Sequence, residues 1–201
     1  MIELIYLLFL GFIIGLSGAI LPGPLLVYTL SESVKKGFKA GPLVIVGHMI
    51  VEIVLLVMIA FGVEKFINTP FFNQAVSVIG GAALVLMAVH LLRTRWAIST
   101  TPSKSYGTIM GGIIFTAFNP GFPIWWVTAG ARMLLEGYKT AAVTGVAVIV
   151  FGHWLADMGY FTLVSTLVHY GKENWLADRH LNQIKNILAV SLLAIGVYFI
   201  L

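Results

Sequence analysis

Six stretches of this chain are apolar for long enough to cross a lipid bilayer. They fall at about residues 4–30, 41–62, 73–94, 108–134, 141–168 and 184–201. A hydrocarbon core about 30 Å thick is crossed by about 20 helical residues, and the helix satisfies its own backbone groups where no water can. Short polar or turn-rich pieces separate the stretches: Ser31 to Ala40, Glu64 to Asn73, Arg93 to Gly107, Glu136 to Thr140 and Gly171 to Asn182. The expected fold is therefore an all-α integral membrane protein of six transmembrane helices, a single transmembrane domain over residues 1–201. Composition agrees. Hydrophobic residues make up 59% and charged residues 10% of the chain, whereas soluble domains carry about 25% charged residues. Cysteine is absent, which excludes disulfides, thiolate metal sites and thiol relays. Glu3 stands where a cleaved leader would carry basic residues, so the first span is expected to be retained.

Lysine and arginine near span ends stay preferentially on the cytoplasmic side. Lys35, Lys36, Lys39, Arg93, Arg95, Lys104, Lys172, Arg179 and Lys185 fall in the first, third and fifth connections, against only Lys65, Arg132 and Lys139 on the other side. This bias places both termini outside the cytoplasm, with the chain multi-pass in the plasma membrane. It also leaves Lys35, Lys36 and Lys39 available to anionic lipid.

An internal echo goes further. Gly47-His48 with Glu52 recurs as Gly152-His153 with Asp157, each a Gly-His followed four residues later by a carboxylate. Upstream, Pro22-Gly23-Pro24 interrupts the first span and Asn119-Pro120-Gly121-Phe122-Pro123 the fourth. A weaker echo pairs Gly37-Phe38-Lys39 with Gly137-Tyr138-Lys139. Three spans per half is an odd number, so a repeat of this kind enters the membrane from opposite sides. The halves, about 1–95 and 105–201, are expected to be inverted repeats with a substrate site near the midplane.

A carboxylate at the centre of a span costs about 2.5–3.5 kcal/mol on insertion scales, so it faces a cavity or a partner. Glu52 and Asp157 are accordingly candidate proton- or substrate-binding groups, with His48 and His153 one helical turn away on the same faces. Two imidazoles and two carboxylates would also suit a divalent metal ion, either as cargo or in an intramembrane metal-dependent hydrolase. Pro22, Gly23, Pro24, Asn119, Pro120, Gly121 and Pro123 are candidate helix breaks and gates, where freed amides could hold a substrate carboxylate. Trp125 and Trp126 either line that pocket or face lipid. His169 and His180 carry no assigned role.

Leu16-Ser17-Gly18-Ala19-Ile20-Leu21-Pro22-Gly23-Pro24, followed by the lysine-containing connection and Gly37, resembles the first-span signature of the LysE-type (LysE/RhtB) amino-acid exporters. Asn119-Pro120 resembles the fourth-span Asn-Pro of that family, and Gly80-Gly81-Ala82-Ala83-Leu84 its third span. The resemblance implies a secondary transporter rather than an enzyme. It would export amino acids or similar cationic or zwitterionic solutes, with protons as coupling ion and no cofactor. It implies no nucleic-acid partner and leaves homo-oligomerisation open.

Overall fold

The computed structural model describes residues 1–61, 70–93, 105–119, 121–174 and 178–201. Every regular element among them is helical: α1 (Ile2–Ala19), α2 (Pro24–Lys36), a 3-10 turn (Gly37–Lys39), α3 (Ala40–Ala60), α4 (Pro70–Arg93), α5 (Ser105–Ala117), α6 (Gly121–Trp125), a π-helical turn (Trp126–Gly130), α7 (Ala131–Asn174) and α8 (Asp178–Ile200). Among the described residues, three helical stretches are long and apolar enough to cross a membrane: Ile2–Ala19, Pro24–Ala60 and Gly121–Gly171. Gly107–Ala117 is a shorter apolar helix. The second and third are too long for one crossing. At about 1.5 Å per residue, the 37 residues of the second would reach about 55 Å if straight. Each is folded at a residue with positive φ, Gly37 (φ 67°) in one and Ala142 (φ 48°) in the other.

Charged groups are buried while large apolar side chains face outward. On α3, Glu52 is 1% exposed while Ile53, Val54 and Val57 are 48%, 55% and 50% exposed. A soluble helix shows the reverse, and an outward apolar face this extensive needs lipid or another apolar partner.

The backbone breaks where proline removes a donor. Pro22 and Gly23 lie outside any helix, with Gly23 extended at φ −135°, and Pro24 opens α2 at a position whose N–H has no helical partner. The first stretch expected as one span is thus two helices. Near the second proline cluster, Asn119 is non-helical and Gly121 starts α6. Pro123 sits in the first turn of α6, where a missing N–H costs no helical bond. Pro120 lies outside the described residues, as do Lys65, Arg95, Trp96 and Lys104. Two connections are shorter than expected. Helix α2 runs through Ser31 to Lys36, and α7 runs through Glu136 to Thr140 before its kink.

The contacts divide the chain into two compact units. One comprises Met1–Leu21 and Gly121–Phe161, the other Pro22–Pro120 and Thr162–Leu201. In the first unit α1 packs on α7 with the backbones nearly touching: a Cβ on Gly11 would strike the Ile149 carbonyl, and one on Gly152 the Leu8 carbonyl. In the second unit α3 packs on α5 in the same way. A Cβ on Gly47 would strike the Ile109 carbonyl, and one on Gly112 the Val44 carbonyl. Close approach through small residues is the usual packing of helices in lipid, where no hydrophobic force draws them together. The second unit also pairs α4 with α8, around Leu84, Ala88, Ala189 and Leu192, with Val27 of α2 filling the core.

Candidate functional site

The glycine before each histidine explains the first half of the recurring sequence. With no side chain at Gly47 or Gly152, the next residue is carried against the partner helix. His48 on α3 reaches Glu52 one turn on, Nε2 to Oε1 at 3.1 Å. Its Nδ1 lies 3.0 Å from Oγ1 of Thr116 on α5. Because a hydroxyl both donates and accepts, Thr116 can serve neutral or protonated imidazole without changing place. Glu52 is almost fully buried.

In the other unit His153 reaches Asp157 on α7, Nε2 to Oδ2 at 3.3 Å, and both residues are 3% exposed. Here the imidazole is held by rings. Trp125 stacks on it at 4.9 Å between centroids and 20° between planes, and Trp126 meets it edge-on at 5.7 Å and 84°. Gly15 of α1 closes the remaining side, since a Cβ there would fall 2.7 Å from Nδ1. Consecutive residues of a regular helix point about 100° apart. The π turn that begins at Trp126 lies at the point where two neighbouring indoles converge on one ring. Trp126 is 2% exposed, so it packs inside the protein rather than facing lipid.

The backbone leading to each pair is alike. Gly37 has φ 67°, ψ −149°, and Ala142 has φ 48°, ψ −137°. His48 follows Gly37 by eleven residues, and His153 follows Ala142 by eleven. The residue that corresponds to Gly37 by conformation and spacing is therefore Ala142. The weaker echo between Gly37-Phe38-Lys39 and Gly137-Tyr138-Lys139 is out of register with the histidines by five residues. Gly137 does something else: its carbonyl lies where a Cβ on Gly145 would be, so the two glycines let α7 fold back at its kink.

One polar cluster escaped the sequence reading. Glu32 of α2, 5% exposed, lies 3.1 Å from Lys36 and 3.4 Å from Lys35, and accepts a 2.8 Å hydrogen bond from Thr108 of α5. Lys36 also hydrogen-bonds Thr108. One turn earlier, Tyr28 donates to the Gly107 carbonyl at 2.9 Å and stacks on Phe115 at 4.6 Å. Lys36 therefore points into the protein, not to lipid. The signal was present as carboxylate-lysine spacings of three and four, which have meaning only if residues 31–36 are helical. Lys185, expected in a connection, is likewise inside α8 and 3% exposed. His169 is also helical. It packs over Gly37 and lies 5.9 Å from the Phe38 ring, while Ser165 donates to the Phe38 carbonyl at 2.8 Å.

Two His-carboxylate pairs with buried carboxylates, each clamped to a neighbouring helix and each following a folded-back turn, suit groups that take up and release charge away from bulk water. No curated protein and no solved structure matches the chain. The LysE type translocator family model matches residues 16–201, nearly the whole length, and the chain belongs to that family of membrane transporters of small solutes.

Proposed function

We propose that this translocator exports amino acids or similar small solutes across the plasma membrane, coupled to the proton motive force. The observation that carries this reading is the recurrence of a histidine paired with a buried carboxylate, on α3 and on α7, eleven residues after a positive-φ turn each time. Glu52 and Asp157 bind protons or the substrate ammonium, while His48 and His153 tune them. The interruption at Pro22, Gly23 and Pro24 and the one at Asn119, Pro120, Gly121 and Pro123 gate the path and offer amides to a substrate carboxylate. In this reading the chain crosses the membrane six times as two inverted halves forming one transmembrane domain, with both termini outside. The two halves alternate access to the site.

The like construction of the two pairs supports the repeat, and membership of a translocator family supports transport. The donor set of two imidazoles and two carboxylates also fits a divalent cation as the cargo. One experiment separates the readings: uptake into inside-out vesicles of a panel of amino acids and metal ions under an imposed pH gradient. Gradient-dependent amino-acid uptake is expected. Metal uptake without amino-acid uptake would select the other cargo.

A further inference from the structure

Stacked on His153 is a polar group with no hydrogen-bond partner among the described residues. The Trp125 indole N–H is buried and has no hydrogen-bond acceptor among the described residues. Leaving a buried donor unmatched is costly, and such a group in a native protein calls for a reason. The indole cannot turn away to find a partner. Its face is stacked on His153, its edge abuts Trp126 at 5.4 Å between centroids, and Gly130 packs against both indoles. The N–H edge points at the last turn of α1, where the facing residue is Gly18. A Cβ on Gly18 would stand 2.9 Å from Nε1. Glycine at that position keeps a side chain off the donor, where any other residue would press a Cβ against it.

We propose that Trp125 Nε1–H is a substrate-binding group, donating a hydrogen bond to the carboxylate of the exported solute at the end of α1. This rests on the transport reading above and adds a recognition residue to it. The chemistry favours a carboxylate over other acceptors. A stack on a His-Asp pair places the ligand oxygen beside a group that can carry positive charge, and hydrogen bonds to charged acceptors are about twice as strong as neutral ones. The role is distinct from that of His153. The imidazole varies its charge, while the indole offers a donor of fixed charge and direction.

The test uses full-length protein in proteoliposomes, with alanine, leucine, threonine and lysine as probes and the amide of each as a carboxylate-free control. Trp125→Phe keeps an aromatic ring for the stack and removes the donor with part of the indole. It is expected to raise the half-saturating concentration of the best amino acid about tenfold while sparing the maximal rate. Half-saturation for the matching amide, whose carbonyl is a neutral acceptor, should rise only about threefold. A structural role for Trp125 would instead lower the maximal rate or the yield of folded protein and weaken acid and amide alike. Unchanged half-saturation in Trp125→Phe, in a protein whose transport still depends on Glu52 and Asp157, overturns this proposal alone. Wild-type protein that moves none of the amino acids overturns it together with the transport reading.

Discussion

His48 and His153 occupy matching places in two units of one chain, yet different neighbours hold them. Around His48 the partner is a hydroxyl, Thr116 at 3.0 Å. Around His153 it is a pair of indoles, with Gly15 against the ring. What the two share is backbone: a glycine at the helix contact, a carboxylate one turn on and a positive-φ residue eleven positions before. The difference teaches that the plan fixes where an imidazole goes, and the side chains of the neighbouring helix decide how it behaves. A hydroxyl can follow a change of protonation by rotating. An aromatic box cannot, and holds the ring plane whatever its charge.

The largest expected effect lies in what the pairs have in common. Glu52→Gln and Asp157→Asn keep size and hydrogen-bonding capacity and remove the titratable charge. Both should reach the membrane in normal amount and lose gradient-driven export by about a hundredfold or more, the usual scale for removing a proton-transfer group. If only one of them matters, the two units do unequal work and the comparison narrows to geometry.

Next comes a contrast inside the second unit. Glu32→Gln leaves Lys36 buried with its carboxylate gone, and should destabilise by about 3–5 kcal/mol. Joined with Lys36→Met the loss should largely disappear, because replacing both members of a buried pair with matching shapes is often nearly neutral. Thermal unfolding in detergent reads both. A double variant as unstable as the single one would mean that Thr108 and Lys35 need the charge as well.

Much of this was written in the sequence, and the reasons for the rest are specific. Helices, the first break and both His-carboxylate pairs follow from apolar length, from proline and from a spacing of four. The fold of the chain at Ala142 does not. Alanine rarely adopts φ 48°, so nothing in the local sequence marks the turn, and Gly137 five residues earlier offers a more conventional signal in the wrong place. The Glu32 cluster was hidden by reading residues 31–36 as a connection. Trp125 and Trp126 could be placed near the second break but not on His153, because the π turn changes the direction in which successive side chains point.

The two turns give the next prediction. At Gly37 a Cβ meets both an unfavourable φ and the His169 ring, so Gly37→Ala should cost about 1–3 kcal/mol of stability. At Ala142 the strain is already present, and Ala142→Gly should be neutral or stabilising by up to about 1 kcal/mol. Equal losses at both positions would break the correspondence between the turns. The smallest expected effect is at Thr116. Thr116→Val removes the hydroxyl from His48 and should cost about 1 kcal/mol, with a changed pH profile of export. The profile should be far less sensitive to Trp126→Phe, which keeps a ring against His153.

The central claim is that export of a small amino acid is driven by protons. Purified protein in proteoliposomes, loaded with amino acid and given an inward proton gradient, tests it most directly. Efflux should quicken with the gradient and acidify the lumen in step with solute leaving, and the acceleration should vanish when a protonophore collapses the gradient. Efflux of amino acid at the same rate with and without the gradient, or none in either case, would contradict the account.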